Sequence, residues 1–203
     1  MIWPRACPFC GALGEPACVL CLLPLLEPPL PMELENITLW SGGEHDGFLR
    51  ELVLALKYGG DRSLGVAMGR ALGRIFPRPD ADLLVPVPLH EGSERAYNQS
   101  FALAKGAARE WGIPVREGLA WNTQRSAQTS LGSDERRAMS ADAFSPLSKI
   151  LFGKRIVLVD DVATTGTTFE RAAESVRRGG GVPVLALSWS CAPRTKERMR
   201  AVR

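Results

Sequence analysis

The chain has 203 residues, of which 45% are hydrophobic and 23% are charged, and its formal net charge at pH 7 is +3. This composition is ordinary for a soluble globular protein, and the length allows one α/β domain with a sizeable core and a small appendage. The mild positive charge permits phosphate-rich partners but does not indicate a dedicated nucleic-acid binder.

A membrane protein is not expected. The most apolar stretch, residues 17–26, has only ten residues and is interrupted by Pro24, so it is too short to span a bilayer. The N-terminus also lacks a secretory pattern, because Cys7, Pro8 and Cys10 fall where a smooth apolar stretch would be needed. We therefore expect a cytoplasmic protein without membrane insertion, in which thiols stay reduced.

The first structural unit expected along the chain is a small module with a proline-rich linker, residues 1–31. It contains Cys7-x-x-Cys10 and Cys18-x-x-Cys21, and each pair can bind one side of a tetrahedral Zn²⁺. Four thiolates leave no open coordination position, so the predicted zinc is structural and supplies folding energy that so short a segment lacks. The alternatives are four unligated thiols and, disfavoured by the presence of two pairs, a redox C-x-x-C site.

The second unit, residues 32–203, alternates between helix and strand signals. Apolar residues at helical spacing predict helices, and short β-rich apolar runs predict strands. Asn98 is a plausible N-cap, and Cys191 is expected in the core. Strands separated by helices favour βαβ units and a mostly parallel sheet, whereas residues 122–150 are polar and are expected to form an excursion or flap. The predicted helices cover residues 46–60, 64–76, 98–112 and 167–180, and the predicted strands cover residues 83–87, 113–121, 154–161 and 182–190.

One predicted strand ends in two adjacent carboxylates, Asp160 and Asp161. Ligands of open parallel sheets collect at the carboxyl ends of strands, and the start of the helix that follows favours a phosphate. Gly166 lets the backbone approach the anion, while ionised carboxylates accept hydrogen bonds from neighbouring hydroxyls. A ribose 5-phosphate has this layout, and the acids can also help to hold Mg²⁺. The hydroxyl donors of the loop are Thr164, Thr165, Thr167 and Thr168.

The plain alternative for this segment is a strand–turn–helix with a hydroxyl N-cap. The segment has neither the G-x-x-x-x-G-K-[ST] spacing of a Walker A loop nor a G-x-G-x-x-G dinucleotide turn.

The segment VLVDDVATTGTT resembles the phosphoribosyl pyrophosphate (PRPP) signature of type I phosphoribosyltransferases. The resemblance implies that Asp160 and Asp161 contact the ribose 2- and 3-hydroxyls and that Ala163 through Thr168 bind the 5-phosphate. Ala163 is smaller than the aliphatic residue usually found there. The implied fold class is α/β: a mostly parallel sheet flanked by helices with a flexible hood or flap, plus a small zinc-ribbon-like module at the N-terminus.

Further blocks are similar to ComF-family proteins, which are associated with bacterial natural transformation. The blocks are VPVPLH followed by residues 95–100, LKYGGD, and residues 124–144. They imply a pyrophosphate-binding loop after the strand at 83–87 and a flap that excludes water. For Lys57, Arg95 and Arg125 a solvated surface charge is an equal alternative. His90 can equally be an ordinary loop residue, and Tyr97 can pack instead of contacting substrate. The candidate pyrophosphate and flap residues are Lys57, Pro88, Leu89, His90, Arg95, Tyr97, Asn98, Gln99 and Arg125.

The chain departs from the usual ComF pattern at two positions, with Ala96 in place of a glycine and Met139 in place of an asparagine. The resemblance implies one of two functions. The first is an Mg²⁺-dependent phosphoribosyltransferase of unknown acceptor that acts in DNA uptake. The second is a non-catalytic competence protein that binds single-stranded DNA or PRPP and docks a helicase or another DNA-processing partner. The basic residues 194–203 can contact nucleic acid, although a solvated tail is the default.

Overall fold

The structure is a computed structural model that describes residues 6–14, 17–89, 97–122 and 142–193. Within these ranges, no helix has the length and apolarity needed to cross a membrane. The helices are α1 (Val19–Leu22), α2 (Gly47–Tyr58), α3 (Arg62–Ile75), α4 (Gln99–Trp111), α5 (Ser148–Leu151) and α6 (Thr167–Arg178). The strands are β1 (Met32–Glu33), β2 (Thr38–Ser41), β3 (Leu83–Pro86), β4 (Leu119–Trp121), β5 (Phe144–Pro146), β6 (Arg155–Ala163) and β7 (Val182–Cys191).

The central sheet has the strand order β1-β2-β7-β6-β3. Strands β2, β7, β6 and β3 run parallel, and the short β1 pairs with β2 in the antiparallel sense. Both faces of β6 are buried: Val157 and Val159 pack in the core with α2, α3 and α4, whereas Ile156 and Leu158 pack in the core with α6. A parallel sheet covered by helices on both faces explains why its inner strands are continuous apolar runs. The predicted α/β class with a mostly parallel sheet is confirmed.

The helices α3 and α4 cross at very short range. A Cβ atom at Gly69 would collide with the carbonyl oxygen of Leu103, and one at Gly106 would collide with the carbonyl oxygen of Val66. Glycine is therefore required where the two backbones meet, since any side chain would push the helices apart. This contact fixes α4, whose first turn faces the carboxyl end of β6 through the Ser100–Asp160 hydrogen bond.

The N-terminal segment packs into the main core. Ala17, Val19, Leu22 and Leu26 are all buried among side chains of α2, α3 and α4. The boundary predicted at residue 31 stays a prediction, but the apolar residues before it bury their side chains together with those of the larger unit.

Three sequence expectations need correction. The predicted strand 113–121 is regular only at its end, as β4, because residues 114–116 form isolated backbone hydrogen bonds with Leu84 instead. Residues 122–150 are not all excursion, since Phe144 of β5 is 1% exposed and belongs to the core, and α5 begins at Ser148. The β6 strand also continues through both acids to Ala163, which moves the start of the loop to Thr164.

Candidate functional site

The acid pair lies at the carboxyl end of β6, as predicted. Ser100 donates its hydroxyl to Asp160 Oδ1 at 2.7 Å, and the backbone N–H of Asp161 donates to the same oxygen at 2.8 Å. Although Asp160 keeps some contact with solvent, burial and then the charge of Asp161 raise its pKa to about 7, against the opposing effect of these hydrogen bonds. Asp160 is therefore partly protonated near pH 7, and a ligand or cation that stabilises its ionised form would release that proton.

Asp161 is only 7% exposed and is paired with Lys57. The Lys57 ammonium lies 3.1 Å from Asp161 Oδ2 and is itself mostly buried, in the last turn of α2. Sequence reasoning placed Lys57 among the pyrophosphate residues, and the structure brings it to the acid pair. A lysine at this position offsets the negative charge that two adjacent carboxylates would otherwise present to an anionic ligand.

The hydroxyl loop leads into α6, which begins at Thr167 as expected. Thr165 Oγ1 lies 2.9 Å from Thr167 Oγ1 and accepts from the Thr167 backbone N–H at 3.3 Å. Gly166 is the N-cap, with φ of 88°, and as a glycine it supplies no side-chain cap of its own. Exposed hydroxyls and backbone N–H groups at a helix start form an anion-binding turn. The side chain of Leu34, which precedes β2, covers Gly166.

Three of the predicted pyrophosphate residues lie near the end of β3, and three others lie outside the described residues. Pro88 and Leu89 follow β3 at the carboxyl edge, and the carbonyl of Pro88 accepts from the Trp121 indole at 2.8 Å. Asn98 caps α4 and donates to the carbonyl of Val87 at 2.9 Å, which ties the helix start to the end of β3. His90, Arg95 and Arg125 lie outside the described residues.

Two further predicted pyrophosphate residues, Tyr97 and Gln99, have packing roles in this structure. The Tyr97 hydroxyl donates to the carbonyls of Leu56 and Asp61, at 2.9 and 3.1 Å, and so braces the turn between α2 and α3. Gln99 is 2% exposed in the first turn of α4.

The four N-terminal cysteines form a cluster in which all sulfur atoms lie within 4.8 Å of one another. Burial raises the pKa of Cys7, but backbone N–H donors led by Cys18 outweigh it and lower the value to about 6. The four sulfurs of a tetrahedral zinc site with bonds of about 2.3 Å are about 3.8 Å apart, so the cluster matches a four-thiolate metal site. The cysteines predicted as metal ligands are therefore brought together and can bind a metal such as zinc.

Comparison with known proteins agrees with the site. The family model described as "Phosphoribosyl transferase domain" matches residues 98–196, which include the acid pair and the loop. Competence protein F of Haemophilus influenzae is 33% identical over 104 residues, covering 49% of this chain and 45% of that protein. Together, the phosphoribosyl transferase domain match and the identity to competence protein F support a ComF-like protein of the type I phosphoribosyltransferase family.

Other similar proteins also match part of this chain. An amidophosphoribosyltransferase of Methanocaldococcus jannaschii is 34% identical over 58% of this chain and 23% of its own length. A solved glutamine PRPP amidotransferase from B. subtilis is 26% identical, with a TM-score of 0.46 over 63% of this chain and 26% of that one. The ComF-like chain thus spans less than half the length of each of these relatives.

Sequence reasoning assigned no role to three residues at the carboxyl edge of the sheet: His45, Ser190 and Ser100. His45 follows β2, and its Nδ1 lies 2.8 Å from the hydroxyl of Ser190, which is fully buried near the end of β7. Ser100 belongs to a block that carries the ComF resemblance, but no role was assigned to it. One signal was available for His45, because the chain has only two histidines and this one falls between a strand and a helix N-cap.

Proposed function

We propose that this protein binds PRPP with Mg²⁺ and transfers the phosphoribosyl group to an acceptor with release of pyrophosphate. The observation that carries the proposal is the continuous unit formed by Asp160, Asp161 and the loop into α6. It presents two oriented carboxylates directly beside a helix start whose N-cap is a glycine. Vicinal hydroxyls next to a phosphate are the chemical group that complements this unit.

Within the proposed site, the acids accept hydrogen bonds from the ribose 2- and 3-hydroxyls. The 5-phosphate accepts hydrogen bonds from the backbone N–H groups and hydroxyls of the loop from Ala163 to Thr168. The pyrophosphate lies toward the end of β3. Ser100 and Lys57 hold the carboxylates for this contact, because each bonds one acid from a helix that is itself fixed by core packing.

The donor set also fits Mg²⁺, which prefers oxygen ligands and is often held by one or two carboxylates together with substrate phosphates. Asp160 and Asp161 are the residues that would hold it, and Lys57 is the cation with which it would share Asp161. When bound, Mg²⁺ supplies positive charge that stabilises the leaving pyrophosphate.

The test is calorimetric titration with PRPP in the presence and absence of Mg²⁺. We expect binding in the range of about 1–100 μM, which corresponds to about 5–8 kcal/mol. The double substitution Asp160→Asn with Asp161→Asn should abolish the binding heat, since it removes both charged acceptors. A matched control is Asp80→Asn with Asp82→Asn, which makes the same charge change just before β3, near the amino end of the sheet. Unchanged binding in the site variant, or no binding by the wild type, would refute the ligand assignment.

A second candidate function is supported by the identity to competence protein F. Here the protein has no turnover and serves DNA uptake by binding single-stranded DNA or a DNA-processing partner. Oligonucleotides tested beside small acceptors in a pyrophosphate-release assay separate the two functions. Release that depends on one acceptor supports the enzyme, whereas DNA affinity that falls steeply with salt, without release, supports the binding protein.

We further propose that the metal held by Cys7, Cys10, Cys18 and Cys21 is zinc with a structural role. Four sulfur ligands favour zinc over the oxygen-seeking divalent cations and fill all its coordination positions.

A further inference from the structure

The backbone around His45 is fixed against the end of β7. The Cys191 N–H donates to the carbonyl of Gly43 at 2.9 Å, and the His45 N–H donates to the carbonyl of Cys191 at 2.6 Å. The parallel pairing of β2 with β7 therefore continues past the last residue of β2, and Glu44 forms an isolated bridge with Cys191. His45 is thereby held at the same edge of the sheet as the acid pair.

The imidazole is oriented by one of its two nitrogens. Nδ1 lies 2.8 Å from the hydroxyl of Ser190, which is 0% exposed and so is not accessible as a nucleophile. The ring keeps partial contact with solvent, and within the described residues Nε2 has no hydrogen-bond partner. Ser190 thus acts as a positioning residue that leaves Nε2 available to a ligand.

The order of the strands assigns His45 to one side of the proposed ligand. Strand β6 lies between β3 and β7, and β2 follows β7. With the ribose on the acids of β6 and pyrophosphate toward β3, a nucleophile that displaces pyrophosphate reaches the anomeric carbon from the opposite side. That side is formed by the ends of β7 and β2, where Ser190 and His45 lie. This step of the inference rests on the proposed function.

The charges around His45 favour its neutral form. Burial lowers the pKa of His45 below its ordinary value, and the cations Lys57 and Arg50 of α2 lower it further. Asp161 of β6 and Asp46, the N-cap of α2, oppose that shift with smaller effects. A neutral imidazole at pH 7 has the protonation state that a general base needs.

We propose that His45 is the catalytic base for the acceptor. Its Nε2 takes the proton of the acceptor while the acceptor's lone pair forms the bond to the ribose anomeric carbon. The bond from that carbon to the pyrophosphate oxygen breaks, and its electron pair leaves with pyrophosphate. Ser190 accepts a hydrogen bond from Nδ1–H and so fixes the tautomer with a free Nε2. The acceptor class is a nucleophile that carries a proton at neutral pH, such as a ring N–H of a heterocycle.

The test is pyrophosphate release by wild type and His45→Asn with a panel of N–H heterocycles and, separately, with ammonia. Asparagine retains a polar group near Ser190 but cannot act as a base. We expect kcat with the active heterocycle to fall about 100-fold or more, the range for loss of a general base. Release with ammonia, whose lone pair is free before attack, should change little. The Kd for PRPP should also stay within about threefold, because loss of a general base removes an interaction made only in the transition state.

A second measurement covers the case in which the variant does not fold. The wild-type rate with the active heterocycle should fall at acidic pH as His45 becomes protonated, and Ser190→Ala should lower kcat while leaving the PRPP Kd unchanged. A His45→Asn protein that keeps the heterocycle rate and the acidic limb overturns the inference. So does a wild type that binds PRPP but releases pyrophosphate with no member of the panel, and that result leaves PRPP binding intact. A wild type that does not bind PRPP refutes the proposed function itself, and the inference with it.

Discussion

At the scale of single residues, the acid pair is arranged for ligand binding at a cost to stability. Asp160 has two hydrogen-bond donors on one oxygen, yet burial and the neighbouring Asp161 still raise its pKa to about 7. An unfolded aspartate titrates near pH 4, so between pH 4 and pH 7 the unfolded chain has lost a proton that the folded chain still holds. The contribution of Asp160 to stability is therefore fully present below pH 4 and is lost as the pH rises to about 7.

This loss of stability with rising pH gives a prediction for Asp160→Asn. Asparagine keeps an oxygen for Ser100 and for the Asp161 N–H but carries no charge, so the variant should be more stable than wild type at pH 8. The expected gain is about 1–2 kcal/mol, or about 2–8 °C in melting temperature for a chain of this size. The gain should shrink at pH 5, where wild-type Asp160 is already protonated in the folded state. Thermal unfolding of both proteins at the two pH values measures the difference.

Asp161→Asn is the matched control for that prediction. It removes the partner of Lys57, whose side chain is 18% exposed, and so leaves a largely buried ammonium unpaired. This variant should be less stable than wild type at pH 8. An Asp160→Asn protein that melts below wild type at pH 8 would contradict the view that the acid pair is held under electrostatic strain.

At the scale of elements, the strand–turn–helix around the acids could be predicted because its signals are local. The apolar run of β6, the two acids, Gly166 and the amphipathic face of α6 all lie within one continuous stretch. The Lys57–Asp161 pair and the His45–Ser190 contact could not be predicted in this way. They join residues 104 and 145 positions apart in sequence. The first depends on α2 packing into the same core as β6 and the second on β2 lying beside β7, and no local pattern specifies either arrangement.

Other differences between the expected and the observed elements also have physical reasons. Phe144 is a single large apolar residue in a polar context, and Leu151 lies in an apolar run of only three residues, 150–152, so no period marked β5 and α5 as core. The strand expected from residue 113 contains Pro114, which has no N–H to donate, and only its last three residues pair regularly, with β5. Among the cysteines, spacing alone sufficed, because two C-x-x-C pairs in a short segment come within reach of one ion.

Gly166 allows a prediction about the loop element. Its φ of 88° is strained for any residue with a side chain, and a Cβ there would lie 2.5 Å from Leu34 Cδ2. Gly166→Ala should therefore lose about 1 kcal/mol from backbone strain and a further contribution from displacing Leu34. Because the same turn presents the proposed phosphate site, PRPP affinity should fall as well, measured by calorimetry beside the unfolding curve.

Gly153→Ala is the control for the turn. Gly153 has φ of 68° but open space around its Cα, so alanine there should cost only the backbone strain and leave PRPP affinity unchanged. Leu34→Ala in the Gly166→Ala background should recover the part of the stability loss that comes from the collision. Equal losses of stability and affinity at the two glycines would show that the turn has no special role.

At the scale of the whole molecule, the cysteine cluster and the main core form one packing unit. Leu22 lies one residue after Cys21 and is 0% exposed, and Val19 lies one residue after Cys18 and is 4% exposed. Both side chains contact the core formed with α2, α3 and α4, so the geometry of the cysteines determines where these two residues enter that core.

Loss of the metal should therefore destabilise the whole protein and not only its first residues. We expect Cys18→Ser with Cys21→Ser, or treatment of the wild type with a strong chelator, to lower a single cooperative unfolding transition. The loss should be at least about 3 kcal/mol, or about 6–12 °C, because metal binding energy becomes folding energy where a short segment cannot order itself. Calorimetry together with elemental analysis, expected to give close to one zinc per chain, measures both parts. The chelator should have no further effect on the cysteine variant. A separate low-temperature transition with an unchanged main peak would show instead that residues 1–31 fold as an independent unit.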